Sequence, residues 1–310
     1  MSDAKTIGWI GCGRMGTAMA RRLVLAGNDV TVTNRTLAKT ESLAALGAKV
    51  VERPRDLADC DIVFIMVSAN EDLQDVVSSE FGLLSDERRV PAIIVDCSTV
   101  SSDVSAEIRL ACAQRGAHFL AAPVSGNPKV VAAGRLTLAV SGPRDTFEQV
   151  SPYFEQLGHG VTYVGDGEVA RLVKICHNMM LGIVAQAMAE ITVLAERGGI
   201  KRSDWLAFLN DSVMGSTFTR YKTPAFVNLD FKATFTPMLL RKDFDLGMAQ
   251  AKSLDVAMPL SAMCTEIVKS AIGAGYLEED FAVLLLESAR AAGLTLEPEN
   301  IEVDDGLAPL

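Results

Sequence analysis

Three glycines, Gly11, Gly13 and Gly16, stand between a short apolar run, Thr6 to Ile10, and a stretch of helical spacing, Met15 to Ala26. Few patterns restrict a fold as strongly. A chain that leaves a strand and enters a helix within a few residues must turn sharply. The first glycine permits the tight turn, the second lets the backbone approach a ligand closely, and the third lets the helix pack against the strand. The unpaired N–H groups and the positive dipole end of the new helix then converge on one point. That point suits an anion. Because a second strand follows the helix, the anion expected there is the pyrophosphate of a dinucleotide. Gly11, Cys12, Gly13, Arg14, Met15 and Gly16 are therefore cofactor candidates. Without this context, glycines at these spacings mark ordinary turns.

The alternation continues. Asp29 to Thr33 is β-branched, Leu37 to Leu46 reads as a helix ending at Gly47, and Ile62 to Val67 and Ala92 to Val95 have strand length. His118 to Ala121, Leu136 to Ser141 and Val161 to Val164 follow as strands, with a helix at Arg144 to Leu157. Such order predicts an α/β, doubly wound, mainly parallel sheet of the Rossmann kind. The segment is long for a minimal dinucleotide fold, so one or two extra strands are expected. From Val169 onward only helical periodicity remains. The expected domains are 1–165, dinucleotide-binding; 166–296, all-α and opening with a long interdomain helix; and 297–310, a flexible acidic tail.

Composition excludes several classes. A net charge of −10 argues against nonspecific binding of nucleic acid or an anionic membrane. An anionic substrate must then be held by local cations or N–H groups. None of the six cysteines forms a Cys-x-x-Cys pair, so neither a metal site nor a thioredoxin-like site is expected. Reduced cysteines and an N-terminus without the order of a secretory signal fit a cytoplasmic protein. Leu172 to Leu194 is apolar enough to suggest a membrane span, but Lys174, His177, Asn178, Gln186 and Glu190 interrupt it. A helix buried in protein is the better account.

The end of the second strand distinguishes the cofactors. NAD binders place a carboxylate there for the ribose hydroxyls. This chain reads Val32-Thr33-Asn34-Arg35-Thr36, with no carboxylate. Arginine offers a planar fork of donors suited to a 2′-phosphate. NADP is therefore favoured, with NAD possible, and Asn34, Arg35 and Thr36 surround the phosphate; the alternative is that Arg35 is a solvated loop residue stacking on adenine. Val67 and Ser68, at the end of one predicted strand, and Ser98 and Thr99, after another, stand at the edge where open α/β sheets bind ligands. Further on, Lys174 and Asn178 are one helical turn apart and share a face, with His177 beside them. Desolvation and a nearby positive nicotinamide both favour a neutral amine. Such a lysine can take a hydroxyl proton as hydride leaves and return it in reduction. The alternative is a lysine that snorkels to the surface.

Five segments together resemble the β-hydroxyacid dehydrogenase family, which includes 3-hydroxyisobutyrate dehydrogenase and tartronate semialdehyde reductase and is related to 6-phosphogluconate dehydrogenase. They are the glycine turn with Asn34-Arg35-Thr36; Asp96-Cys97-Ser98-Thr99-Val100; Ala122-Pro123-Val124-Ser125-Gly126 with Ala133-Gly134-Arg135-Leu136-Thr137; Lys174-Ile175-Cys176-His177-Asn178; and Lys242-Asp243 after Phe235. The resemblance implies oxidation of a small β-hydroxy acid, or reduction of the matching semialdehyde, by a homodimer or homotetramer. It implies Lys174 as general acid/base with Asn178 beside it. Ser125, Gly126 and Asn127 would hold the substrate carboxylate, Thr99 would contact the cofactor near the nicotinamide, and Lys242 would close over the site. Three departures from the family pattern stand out. Asn127-Pro128 replaces a second glycine, Glu168 and Ala170 replace glycines before the lysine, and His177 replaces an asparagine. Two alternatives stay open: an imine reductase-type enzyme, although these generally lack the lysine, and a dinucleotide-sensing protein without turnover.

Overall fold

The strands at the centre of the sheet are buried on both faces, as expected where helices cover a parallel sheet from either side. In the computed structural model, which describes residues 5–307, residues 1–4 of the expected first domain and 308–310 of the expected tail lie outside the described residues. The chain begins β1 (Ile7–Ile10), α1 (Arg14–Leu25), β2 (Val30–Thr33), α2 (Glu41–Ala44), β3 (Lys49–Val50), β4 (Ile62–Ile65), α3 (Asn70–Ser78), β5 (Ile93–Asp96) and α4 (Ser102–Gln114). It continues β6 (His118–Ala121), β7 (Val124–Ser125), α5 (Pro128–Ala132), β8 (Thr137–Ser141), α6 (Arg144–Leu157), β9 (Gly160–Gly165) and α7 (Val169–Arg197). The remaining helices are α8 (Arg202–Asp211), α9 (Thr217–Asn228), α10 (Pro237–Ser253), α11 (Pro259–Gly273) and α12 (Leu284–Ala291).

By contacts the chain divides into one unit ending at Lys174 and a second starting at Ile175, so the division falls inside α7. The first unit holds a sheet of order β3-β2-β1-β4-β5-β6-β8-β7, with β9 paired to β8. The pairs from β3 across to β6 are parallel. β8 runs antiparallel to β6 and β7 and parallel to β9. The strands β7 to β9 account for the length beyond a six-stranded dinucleotide fold. On one face Ile7, Trp9, Ile62 and Phe64 pack with Met19 and Leu23 of α1 and Phe154 of α6. On the other, Ile10, Val63, Ile65 and Ile94 pack with Leu73 of α3 and Ile108 of α4. The strand order reverses between β1 and β4, so the ligand crevice of an open sheet opens at their carboxyl ends.

One local expectation failed. The spacing predicts a helix over 37–46, but the chain forms a 3₁₀ turn at Leu37–Thr40 and a single α-helical turn, α2. The Thr40 hydroxyl donates back to the Leu37 carbonyl at 2.7 Å. Only Thr40 and Leu43 are buried in this stretch. So short an apolar stripe does not sustain a longer helix.

In the second unit, Ile175, Met179, Ala185, Met188, Ala189 and Val193 of α7 enter a core shared with α8 to α12. Among the described residues α7 is the one helix long and apolar enough to cross a membrane, and 56% of its most apolar window is buried inside the protein. α7 and α10 cross closely because each supplies a glycine. A Cβ on Gly182 would lie 2.5 Å from the Phe244 ring, and one on Gly247 would lie 2.1 Å from the Met179 sulfur. After α12 the chain is irregular yet held: Glu299 accepts from the Arg202 amide at 2.7 Å, and Asn228 donates to the Ile301 carbonyl at 2.8 Å. These bonds tie the segment expected as a flexible tail to α8 and α9.

Candidate active site

The glycine turn has the geometry its sequence requires. Gly11 adopts a φ of +97°, and a Cβ there would lie 2.2 Å from the Met66 carbonyl oxygen at the end of β4. A Cβ on Gly16 would lie 1.9 Å from the Gly11 carbonyl oxygen. Gly13 is different, because a Cβ there would meet nothing within 4 Å. No protein packing demands that glycine, whereas close approach by a phosphate does. Gly13 is also the N-cap of α1, where no side chain caps the helix and no acidic residue occupies the first turn. The cradle therefore fits the pyrophosphate of a dinucleotide. Cys12 is buried within it, and burial pushes its thiol up to about 11. Arg14 is exposed and Met15 half-buried.

Asn34 belongs to the turn itself. Its carboxamide oxygen accepts from the Cys12 amide at 2.8 Å, and its nitrogen donates to the Thr36 carbonyl at 2.9 Å. It thus ties the end of β2 to the glycine loop. Arg35 is 87% exposed and pairs at 3.3 Å with Asp72 of α3. An exposed pair of this kind restrains the guanidinium little.

The loops after β4 and β5 are joined. The Val67 amide donates to the Ser98 hydroxyl at 2.9 Å, and the Ser98 amide donates to Asp96 at 3.1 Å. Ser68 is exposed and Thr99 half-buried beside them. Arg171, in the first turn of α7, donates to Asp96 at 2.5 Å, to the Ser98 carbonyl at 2.6 Å and to the Ser105 hydroxyl at 3.0 Å. Sequence analysis missed Arg171; the available signal was a charge inside an otherwise apolar helix.

Ser125 ends β7, and Gly126 follows with a φ of +145°. Asn127, expected among the substrate contacts, is buried. Its carboxamide oxygen caps α5, accepting from the Lys129 and Val130 amides at 2.9 and 3.0 Å. Asn followed by Pro is the cap and first residue of a helix. The departure from a second glycine therefore has a local structural cause.

On α7, Lys174 is half-buried, His177 exposed and Asn178 buried. The Asn178 carboxamide nitrogen donates to Asp243 of α10, and its oxygen lies 2.9 Å from the His177 Nδ1. Asp243 is 1% exposed. Its second oxygen has no hydrogen-bond partner and lies 3.8 Å from the Lys242 ammonium. In the sequence Asp243 stands beside Lys242 in the fifth family segment, but nothing local to it signals the contact with Asn178. Of the other cations near in sequence, Lys222 is buried against Asp280, and Arg220 and Arg241 pair with Asp211 and Asp245.

The pattern of the NAD binding domain of 6-phosphogluconate dehydrogenase matches residues 6–165. That of the NAD-binding domain of NADP-dependent 3-hydroxyisobutyrate dehydrogenase matches residues 165–286. A glyoxylate/succinic semialdehyde reductase 2 of Arabidopsis thaliana is 30% identical over 292 residues, covering 93% of this chain and 80% of the relative. The chain belongs to the β-hydroxyacid dehydrogenase family. It is an NAD(P)-dependent oxidoreductase of the class that acts on CH–OH groups. A solved 3-hydroxyisobutyrate dehydrogenase from Salmonella typhimurium is similar to it at a TM-score of 0.82 and 25% identity, covering 91% of this chain and 99% of that one. An imine reductase from Myxococcus stipitatus has the same fold, with a TM-score of 0.59 at 22% identity over 90% and 98% of the two chains.

Proposed function

We propose that this dehydrogenase uses NADP to oxidise a small β-hydroxy acid or, in reverse, to reduce the matching semialdehyde. One observation carries the proposal: α7 bears a half-buried lysine, Lys174, one turn before an asparagine, Asn178, whose carboxamide is held by a buried carboxylate. When bound, the nicotinamide supplies the acceptor or donor of the hydride. The amide groups of the glycine turn hold the pyrophosphate, and Arg35 reaches the 2′-phosphate. Val67, Ser68 and Thr99 line the nicotinamide end, and Lys242 closes over it. Lys174 accepts the proton of the substrate hydroxyl during oxidation and returns it to the carbonyl oxygen during reduction. Asn178 orients that oxygen. Ser125 and Gly126 receive the carboxylate, with Asn127 shaping their loop. The enzyme works in the cytoplasm as a homodimer or homotetramer. Exposed apolar side chains such as Met180, Leu194, Leu260 and Met263 support this, since water is a poor partner for them.

The test is a steady-state panel of hydroxy acids, semialdehydes and cyclic imines, each with NADPH and NADH or their oxidised forms. Turnover of a hydroxy acid or semialdehyde that is lost in Lys174→Ala is the expected result. Turnover of imines alone, or tight dinucleotide binding with no turnover at all, overturns the proposal.

A further inference from the structure

Arg171 is 1% exposed and uses its planar fork to bind three chain segments: Asp96 at the end of β5, the Ser98 carbonyl in the following loop, and Ser105 on α4. We propose that Arg171 is a positioning residue, which sets the register between the loops after β4 and β5 and the turn of α7 that carries Lys174. This rests on the assignment of Lys174 as the group that exchanges the substrate proton.

The geometry supports this role in three ways. First, one side chain reaches both loops. It holds the Ser98 carbonyl directly, and the Ser98 hydroxyl in turn accepts from the Val67 amide at 2.9 Å. Moving Ser98 therefore disturbs Val67 as well. Second, Arg171 precedes Lys174 by three residues on a continuous helix, so the two stand on one face. A helix is stiff over one turn, and an anchor at Arg171 fixes where the Lys174 backbone stands. Third, a buried ion pair is a poor source of stability. A buried pair gains little over well-packed apolar groups, because both charges lose their hydration. The start of α7 also has other anchors. Its Ala170 amide donates to the Ser141 hydroxyl at 3.2 Å, and Arg109 donates to the Gly167 carbonyl at 2.7 Å and to Glu168 at 2.5 Å. Those contacts hold the helix start without controlling Ser98. Arg171 is the link that adds the loops to it.

The test uses the full chain with two changes that keep the interior neutral, Arg171→Met with Asp96→Asn, alongside the single Arg171→Lys. The asparagine can still accept from the Ser98 amide, and no buried charge is left unpaired. Four quantities are read: Tm, NADPH affinity by fluorescence titration, kcat on the substrate found in the panel, and hydrogen exchange at the Val67 amide. The expected result for the paired variant is a Tm close to wild type and a loss of NADPH affinity smaller than the loss of kcat. Its kcat falls about 100-fold, the scale of a small misplacement near the reacting groups, and Val67 exchanges faster. A merely structural role would lower Tm and affinity together without this split. Wild-type kcat and Val67 protection in the paired variant overturn the proposal. If that variant fails to fold, Arg171→Lys decides, because lysine keeps one ionic contact but cannot span all three partners; unchanged kcat and protection there overturn it equally. If wild-type protein turns over nothing in the panel, the assignment of Lys174 fails separately. Val67 exchange then decides, and unchanged protection refutes the link between Arg171 and the loops.

Discussion

The buried carboxylate of Asp243 accepts a hydrogen bond from the carboxamide nitrogen of Asn178, and this contact fixes which way Asn178 faces. A carboxylate only accepts, so the nitrogen must point at it. The Asn178 oxygen then lies toward His177, 2.9 Å from Nδ1, and that ring nitrogen must be the donor. Asp243→Asn removes the constraint, because a carboxamide can donate or accept and both orientations of Asn178 become available. We expect kcat to fall by about 10- to 100-fold, the cost of a misoriented group near the chemistry, while NADPH affinity stays unchanged. Steady-state kinetics with fluorescence titration check this, and wild-type kcat would show that the orientation of Asn178 is immaterial.

In the proposed mechanism Lys174 loses and regains a proton. Lys174→Ala is expected to lower kcat by about 10²- to 10⁴-fold, the usual contribution of a positioned acid/base group. Lys174→Arg should not restore it, because a guanidinium stays charged throughout the working pH range. NADPH should bind both variants as it binds wild type. Retained turnover in the arginine variant, or lost NADPH binding in the alanine variant, removes Lys174 from proton exchange.

The proposed preference for NADP rests chiefly on Arg35. Losing a hydrogen bond to a charged group costs about 1.5–3 kcal/mol, or roughly 10- to 100-fold in affinity. Arg35→Ala should therefore raise KM for NADPH by about that factor and leave KM for NADH alone. Its side chain is 87% exposed and pairs with Asp72 at the surface, so Tm should not move. Equal effects on both cofactors would instead favour stacking of the guanidinium on adenine.

What could be read from the sequence was what lies close together in it. The glycine turn spans six consecutive residues, and each glycine's neighbours follow from the strand and helix on either side. Central strands announced themselves as apolar runs because both of their faces are buried. Asn127-Pro128 carries a helix-cap signal that is legible in two adjacent residues. The contacts that organise the candidate site are long-range. Arg171 reaches Asp96 across 75 positions, and Asn178 reaches Asp243 across 65. No local spacing encodes such pairs, because they exist only once β5 meets the start of α7 or Gly182 and Gly247 let α7 and α10 cross.

The cysteines separate by exposure. Burial pushes the thiols of Cys12 and Cys60 up to about 11 and that of Cys112 up to about 12, and it raises Cys97 and Cys264 as well. A thiol near 11 is ionised to about one part in a thousand at pH 8, and the thiolate is the nucleophile. Cys176 is the exposed cysteine. A limiting dose of N-ethylmaleimide at pH 8 should label Cys176 first, as peptide mass spectrometry would show. Labelling of Cys12 at the same rate would mean that the glycine turn opens readily in solution.

Lys222 and Asp280 form a buried pair whose worth depends on pH in a defined direction. Burial lowers Lys222, while burial raises Asp280. For Asp280 the raising is outweighed by the Lys222 charge and by hydrogen bonds from Lys222, Thr234 and the Ala282 amide, so the carboxyl ends below its ordinary 3.8. A depressed folded-state value means that the carboxylate's contribution is present above the unfolded value and is lost as pH falls through the folded one. Lys222→Met leaves the carboxylate buried without its cation, at a cost of about 3–5 kcal/mol near pH 7. In that variant the ammonium no longer opposes burial, so the Asp280 carboxyl moves up from its wild-type position against the remaining hydrogen bonds from Thr234 and the Ala282 amide. Its deficit should therefore shrink on acidification toward pH 4, and Lys222→Met with Asp280→Leu should recover part of the stability at pH 7. Chemical denaturation of the three proteins at pH 7 and pH 4 measures both effects. A deficit that stays constant between the two pH values would mean that Lys222 acts through its contact with the Phe281 ring, 4.2 Å from ammonium to centroid, and not through the Asp280 charge.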